Sequence, residues 1–343
     1  MLKLLKNHVE WKGALPLKRI TACLLCLLLL FLCAAAAADT VSYGAVSFDT
    51  EAGQIDMGEQ VVTDYNQFIA FLRQFPNLKK VDMFATLIPE GKVQKLEKAF
   101  PDVSFGWYLK MMRYHFIRSD AEAYSTLHGQ HPNHPSKEFA LLKYCTELKA
   151  LDLGHNNLTS VTFLRSMPGL RVLIFAENPN LKNVEEIGNL PELEYLELFT
   201  CGITDISPLT KCTHLLDLNL GNNKVKDWRP LKQMTWLKRL WIPGMCAKKM
   251  TAEDLAELQE ALPDTLIMAD GKYKNNPVGN GWRTDPKTKA NHPHYDVIYQ
   301  IFHTDTYIPF EDSWPLSGAE GDADPAVPIE EEILNPEAVP QPD

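Results

Sequence analysis

The 343-residue sequence lacks the features on which several common functions depend. Its 34 lysine and arginine residues are outnumbered by 44 acidic residues and form no concentrated basic patch, so we expect no nucleic-acid partner. It contains no glycine-rich phosphate loop, no nucleophile motif and no paired-carboxylate signature. These absences argue against an enzyme, and we expect no cofactor.

The sequence contains a single apolar run long enough to span a bilayer, at residues 20–38. Five basic residues precede this run, and it closes in a row of alanines, ending in Ala36-Ala37-Ala38, before Asp39. That arrangement is typical of a secretory signal peptide. We therefore predict that residues 1–38 are removed and that the protein is extracellular. The alternative is a protein anchored in the membrane by the same segment, uncleaved.

Lysine and arginine are absent from residues 311–343, which contain ten acidic residues and six prolines. Such a composition, with few large apolar side chains, predicts a disordered tail. Loss of residues 1–38 would remove five basic and one acidic side chain and change the formal net charge from −10 to −14. A folded region is expected between these two ends, over residues 39–310.

Within that region, five segments share the pattern Leu-x-x-Leu-x-apolar at spacings of 22 or 23 residues. Their first residues are Leu148, Leu170, Leu193, Leu215 and Leu237. Eight positions later stand Asn156, Asn178, Cys201, Asn223 and Met245. A strand this short buries its inward side chains only if a neighbouring coil stacks beside it at about 4.8 Å. The pattern is that of a leucine-rich repeat.

The second half of each repeat has a period of three, as in Leu158, Val161, Leu164 and Met167. This spacing favours short 3₁₀ turns over long helices. We therefore predict the fold class α/β, a leucine-rich repeat solenoid with a curved parallel sheet and a convex side of 3₁₀ turns or short helices. The regular repeats cover about residues 145–246.

Both ends of the solenoid show helical patterns that suit helix–strand capping units. Residues 64–74, 93–100 and 255–262 carry apolar side chains on one helical face, and the strand cores around Ile55 and Val81 resemble those of the repeats. We expect nine strands in all, with residues 111–135 as an insertion. Residues 295–302 predict a further helix, with Tyr295, Ile298, Tyr299 and Phe302 on one face, packed on the last coil.

Four cysteines remain after the predicted cleavage. Cys145 and Cys212 occupy the same repeat position three coils apart, about 14 Å at the stacking distance, which is too far for a disulfide. Cys201 takes the place of an asparagine. We predict that these three are buried or free thiols.

Histidines offer a weak candidate metal site at His128, His131 and His134. Two prolines and a glycine make this segment a loop, and no His-Glu-x-x-His motif is present. We favour a solvated loop with no metal, and a metal-dependent hydrolase is the least favoured function.

The repeat geometry supplies a better candidate surface, because alternate strand residues point away from the core onto the concave side of the sheet. Aromatic side chains there would be low-entropy anchors for a protein partner, and acids would select a basic one. A simpler interpretation is that the acids only keep the face soluble. The candidate partner-binding residues are Asp152, Ile174, Tyr195, Glu197, Phe199, Asp217, Asn219, Arg239 and Trp241.

Coils such as Ile203-Thr-Asp-Ile206-Ser-Pro-Leu209 resemble bacterial internalin-type repeats. Residues 55–310 also resemble secreted leucine-rich repeat proteins of anaerobic gut Firmicutes, in which runs like Leu151-Asp-Leu-Gly-His-Asn156 and Gly279-Asn-Gly-Trp-Arg283 occur. The resemblance implies an extracellular interaction module and no reaction. Bacterial leucine-rich ubiquitin ligases carry a catalytic cysteine in a large C-terminal domain, whereas no cysteine follows Cys246 here.

The function expected from the sequence is a secreted, non-enzymatic recognition module that binds a protein partner through its concave face. The alternative is a protein that binds carbohydrate or a cell-wall polymer, since aromatic rings with Asp and Asn side chains also suit a glycan. Contact with a membrane is expected only through residues 1–38, if they are retained.

Export should release a mature chain that begins at or near Asp39, because the small residues of a cleavage site directly precede it. Intact-mass measurement of protein exported by a bacterial host tests this expectation. A membrane-retained chain that keeps Met1 would contradict it.

Overall fold

A computed structural model describes residues 39–112, 115–126, 133–269, 282–284 and 290–310. The predictions for residues 1–38, for residues 311–343 and for His128 and His131 lie outside these ranges. The chain divides into two compact units, Met1–Gly106 and Trp107–Asp343. No helix in the described ranges is both long enough and apolar enough to cross a membrane.

The first unit contains an antiparallel hairpin, a parallel strand pair and two helices. The hairpin consists of β1 (Thr40–Tyr43) and β2 (Val46–Asp49). The parallel pair consists of β3 (Gln54–Asp56) and β4 (Lys80–Leu87), with Ile55 opposite Val81. The helices are α1 (Tyr65–Leu72) and α2 (Glu90–Ala99), so the two helices predicted at this end are confirmed.

Helix α1 begins where the side chain of Asp64 accepts hydrogen bonds from the backbone amides of Asn66 and Gln67, at 2.9 and 3.0 Å. Such an N-cap satisfies amides that have no partner within the helix. The helix buries Phe68 and Leu72 completely, and the ring of Tyr43 packs against Phe68 with centroids 5.2 Å apart. The aromatic face of α1 therefore fixes the hairpin in this unit.

The second unit is built around a seven-stranded parallel sheet. Strand β5 (Ser104–Met112) spans the division between the units, and its residues 108–112 pair antiparallel with β6 (His115–Arg118). The seven-stranded sheet itself begins after β6. Its strands, adjacent in chain order, are β7 (Ala123–Ser125), β8 (Ala150–Asp152), β9 (Val172–Ile174), β10 (Tyr195–Glu197), β11 (Asp217–Asn219), β12 (Arg239–Trp241) and β13 (Leu266–Met268).

The register of this sheet confirms the predicted solenoid. The central leucines of five successive strands stand opposite one another, and all are buried: Leu151, Leu173, Leu196, Leu218 and Leu240. The predicted 3₁₀ turns are also present, at Ser136–Tyr144, Thr162–Ser166, Ile187–Asn189, Ser207–Lys211 and Arg229–Gln233. Helix α3 (Ala252–Ala261) precedes β13 and confirms a helix–strand unit at the C-terminal end.

The asparagine positions work as the repeat predicts. The side-chain amide of Asn178 donates to the carbonyls of Leu153 and Phe175, both at 2.9 Å, and its oxygen accepts from the amide of Leu158 at 2.9 Å. Cys201, at the equivalent position, directs its sulfur to the carbonyl of Phe175 at 3.2 Å. These side chains pair buried backbone groups of two adjacent coils, which would otherwise lack partners.

Two details of the predicted solenoid are wrong. Strands β3 and β4 are not part of the seven-stranded sheet but pair with each other in the first unit. Residues 111–135 are not simply an insertion, because they contain β6 and also β7, the first strand of the sheet. The antiparallel β5–β6 pair reverses the chain direction, so the uniform parallel order starts only after it.

The predicted state of the cysteines is confirmed. Cys145, Cys201 and Cys212 are free and buried, and Cys246 is free and half-buried. Burial raises the pKa of Cys201 and Cys212 to about 12. Thiols in this environment stay protonated at neutral pH and are poor nucleophiles.

Replacing Leu196 with alanine should lower the free energy of unfolding by about 2–5 kcal/mol, because it leaves a cavity in a fully buried column. Leu266→Ala is the matched control, since Leu266 is 61% exposed and the same change should cost under about 1 kcal/mol. Denaturant melts of both variants measure the difference. Equal losses would contradict the observed register.

Candidate functional site

The predicted concave side exists, and equivalent residues of successive coils stand side by side on it in columns. One column contains Ala150, Val172, Tyr195, Asp217 and Arg239, and a second contains Asp152, Ile174, Glu197, Asn219 and Trp241. The expectation that this face is open to solvent is wrong. Each of the nine candidate partner-binding residues exposes 5% or less of its surface.

The face is buried because the chain's own C-terminal segment lies over it. We use "C-terminal segment" for residues 282–284 and 290–310, which include helix α4 (Pro293–Thr304). An apolar cluster joins it to the sheet: Ala123, Ala150, Val172, Ile174, Ala176, Tyr195, Phe199 and Trp241 pack with Trp282, Ile298, Ile301 and Phe302. Those sheet side chains therefore form a second core, on the opposite side of the strands from the leucine columns.

Helix α4 confirms the predicted helix but not its position. Its N-cap is His292, whose ring accepts from the amide of His294 at 3.3 Å, and Pro293 occupies the first turn, where its missing amide is not needed. The helix contacts β7, the first strand of the sheet, whereas it was predicted to pack on the last coil. Tyr299, which was expected on the packed face, is 41% exposed.

Trp282 is the central side chain of the contact and is wholly buried. Its ring lies near those of Tyr195 and Trp241, with centroids 5.5 and 6.1 Å away. The guanidinium of Arg239 stands 4.3 Å from the centre of the indole, and its Nη1 donates to the carbonyl of Trp282 at 3.0 Å. The indole thus has aromatic and cationic neighbours that suit its quadrupole.

Glu197 receives the polar groups that the C-terminal segment brings with it. The indole Nε1 of Trp282 donates to its Oε1 at 2.7 Å, and Arg283 donates through Nε to Oε1 at 2.9 Å and through Nη2 to Oε2 at 2.6 Å. The hydroxyl of Tyr195 also donates to Oε1. Burial lowers the pKa of Arg283, but the charge of Glu197 and its hydrogen bonds outweigh this effect and raise the pKa well above its ordinary value. The result is a buried, forked ion pair.

A second buried cluster surrounds Asp217. Arg239 donates to both carboxylate oxygens of Asp217, at 3.1 and 3.0 Å, and Nδ1 of His294 lies 2.7 Å from Oδ2. Burial raises the pKa of Asp217, but Arg239 and His294 together bring it below its ordinary value. Burial lowers the pKa of His294, so a neutral imidazole that donates from Nδ1 fits this contact.

Asp152 is the acid of the face that lacks a direct cationic partner among the described residues. Its Oδ1 accepts from the amide of Gly154 at 2.9 Å, and the hydroxyl of Ser125 lies 3.4 Å from Oδ2. Burial raises the pKa of Asp152 to about 6, although the charge of Arg283 opposes this shift. The three acids of the face are therefore not equivalent.

The histidine loop can be followed only at His134. Its Nδ1 lies 2.7 Å from Glu138, and its ring packs edge-on against His115 with centroids 5.4 Å apart. No group of three or more His, Cys, Asp or Glu side chains suitable for a metal occurs in the described part of the chain. The weak metal prediction at His128, His131 and His134 stays untested, because two of its three residues lie outside that part.

The residues that the sequence did not single out lie in the C-terminal segment. Trp282, Arg283 and His294 contact the predicted face, yet none was assigned a role. Two signals pointed to them: a Trp-Arg pair downstream of the last repeat, and an excess of acids over bases in the concave columns. Charge complementarity between distant segments is visible in the sequence, but it does not specify whether a basic partner lies within the chain or outside it.

Comparison with known proteins agrees with the repeat assignment. Residues 191–233 match the family described as Leucine Rich repeats (2 copies). A protein named Roc-COR-CHAT protease, from an unknown prokaryotic organism, is 29% identical over 87 residues, which is 25% of this chain and 8% of that protein. This chain therefore spans a small fraction of the length of that relative.

Solved structures with a similar fold include two bacterial proteins. An internalin of Listeria monocytogenes is 19% identical with a TM-score of 0.39, over 60% of this chain and 66% of the internalin. A leucine-rich repeat protein of Leptospira interrogans is 19% identical with a TM-score of 0.39, over 57% of this chain and 50% of that one.

Glu197→Ala should lower the free energy of unfolding by about 3–5 kcal/mol, because Arg283 would stay buried without its carboxylate. The control is Glu185→Ala, which breaks a pair with Lys211 whose side chains are 54% and 53% exposed, and which should cost under about 1 kcal/mol. Urea melts compare the two variants. If both changes cost the same small amount, Glu197 faces solvent and the segment is not seated on it.

Asp152→Asn should stabilise the protein at pH 7.5 and have little effect near pH 4. The folded protein binds this proton more tightly than the unfolded chain, in which the pKa is 3.8, so ionisation opposes folding increasingly as the pH rises from 3.8 to about 6 and fully above that. A pKa shift from 3.8 to about 6 corresponds to roughly 3 kcal/mol, which is the upper limit of the gain in unfolding free energy. Urea melts of variant and parent between pH 4 and pH 7.5 measure the difference in unfolding free energy. A difference that does not change with pH would contradict this prediction.

Proposed function

We propose that this chain is an exported, non-enzymatic recognition module that binds a polypeptide partner through the concave face of its seven-stranded sheet. One observation carries the proposal: this face already holds a polypeptide, the chain's own C-terminal segment, in a continuous apolar cluster with two buried ion-pair groups. The face therefore has the shape and the polar groups that a peptide-binding surface requires.

The contacts also indicate what kind of polypeptide the face accepts. Tyr195 and Trp241 stand beside an indole, and Glu197 and Asp217 receive an arginine and a histidine. An acidic face with aromatic walls matches a basic, aromatic peptide better than an acidic or purely aliphatic one. The occupant thus has the basic character that the sequence predicts for a partner.

Export is part of the proposal and rests on the amino-acid sequence. Residues 1–38 combine basic residues, an apolar run and a small-residue end. The alternative within this proposal is a chain held at the membrane by the same residues. In both cases the recognition face is outside the cytoplasm.

The carbohydrate-binding alternative is tested beside the proposal. The full chain is immobilised, selected against a random peptide library displayed on phage, and applied in parallel to a glycan array. We expect selected peptides to share an aromatic residue next to arginine, because those side chains fit the indole site and Glu197. Retention of glycans without any peptide enrichment would overturn protein recognition in favour of the alternative.

A matched pair of variants assigns the selected peptides to the face. Asp217→Asn removes a carboxylate charge that Arg239 and His294 share on the concave side and should weaken peptide capture about tenfold. Asp227→Asn changes an exposed acid, paired with Arg229 outside the concave face, and should leave capture unchanged. Equal capture by both variants would place the binding surface elsewhere.

A further inference from the structure

We infer that the C-terminal segment is a displaceable internal ligand, which closes the concave face until a partner carrying a Trp-Arg pair takes its place. The inference rests on the proposed function and adds to it the partner's key side chains and the state of the resting protein. Three features of the contact support it: the way the segment is attached, the chemistry of the face beneath it, and the specificity of the dipeptide site.

Side chains attach the segment to the sheet. The segment's own backbone hydrogen bonds include those from His292 to Arg283 at 2.8 Å and from Asp296 to His292 at 3.0 Å. Towards the rest of the unit it is held by contacts such as Arg239 to the carbonyl of Trp282, and the amide of Tyr307 to the carboxylate of Glu122 at 3.4 Å. The strands β7–β13 keep their own ladder of hydrogen bonds when the segment leaves.

The face beneath the segment has the composition of a surface. Five of its side chains are charged or polar: Asp152, Glu197, Asp217, Asn219 and Arg239. Water would solvate all of them on an open face, whereas residues of these types are seldom found fully buried in a core. The fit of the segment is also incomplete, because the amide nitrogen of Asn219 is buried without a hydrogen-bond partner in the described structure.

The dipeptide site discriminates by geometry. The indole enters between two aromatic rings and donates to Glu197, and the adjacent guanidinium grips the same carboxylate with two nitrogens. Lysine cannot reproduce that planar fork, and phenylalanine lacks the indole donor. A partner therefore needs tryptophan followed by arginine in an accessible segment.

The first test is competition by a peptide. A fluorescent peptide of residues 279–310 is titrated against the full chain, against its Arg283→Ala variant and against an Arg165→Ala control, in which an exposed arginine outside the concave face is lost. Since affinity falls with the fraction of open molecules, the peptide should bind the Arg283→Ala chain at least about tenfold more tightly than the other two. A peptide with Trp282 and Arg283 both replaced by alanine should bind none of them.

Hydrogen exchange of the unaltered chain gives a second test that needs no variant. If the segment opens by itself, the amides of α4 should exchange at least about tenfold faster than those of β9–β11 in native conditions. Exchange of both at one common rate would mean that the segment leaves only on global unfolding, and would overturn the inference.

The outcomes separate this inference from the proposed function. A peptide that binds none of the three folded chains identifies the covered face as a permanent core and overturns displacement; library peptides captured equally by the Asp217→Asn and Asp227→Asn variants would then place recognition on another surface. Equal binding to all three chains overturns internal competition and leaves peptide recognition standing. Failure of the library selection alone counts against the proposed function.

Discussion

The ion pair between Glu197 and Arg283 is the interaction on which the concave side of the protein depends. A carboxylate placed in an apolar cluster is strongly destabilising unless a cation and hydrogen-bond donors accompany it. Here Arg283 supplies the cation, and Trp282 and Tyr195 supply the donors. One residue of the central strand thus binds the C-terminal segment electrostatically, and the apolar contacts of α4 add to that attachment.

The repeat explains why such a surface exists. Stacking coils in register brings equivalent residues into columns, and the column on each side of a strand acquires a uniform environment. On one side, the leucine column and the 3₁₀ turns form an ordinary core. On the other, the columns mix acids with aromatic rings, and the C-terminal segment covers them. The parallel sheet is therefore buried on both faces, as parallel sheets generally are.

Much of the fold was predictable because it depends on local periodicity. The spacing of Leu148 and its equivalents set the strand register, and Asn178 and Cys201 make the backbone contacts expected of their position. The start of the sheet was not predictable, since β7 carries no repeat signature and has Tyr124 where the next coil has Leu151. Short strands that pair only through distant contacts leave little trace in local sequence.

For the candidate site, the sequence identified which residues share a face but not what covers that face. The direction of each side chain follows from strand alternation, so Tyr195, Glu197 and Trp241 were grouped correctly. Their burial depends on contacts with residues about 40 to 100 positions away, such as Trp282 and Ile298. Solvent exposure is a property of the whole fold, and no pattern within the repeats reports it.

A double-mutant cycle on Glu197 and Arg283 tests the central claim most directly. The unfolding free energies of the parent, Glu197→Ala, Arg283→Ala and the double variant are measured in urea at neutral pH. We predict that the double variant is more stable than the sum of the single losses implies, by about 1.5–3 kcal/mol, because each single change leaves a buried charge unpaired. Strictly additive losses would contradict the account, since they would mean that the two side chains do not meet.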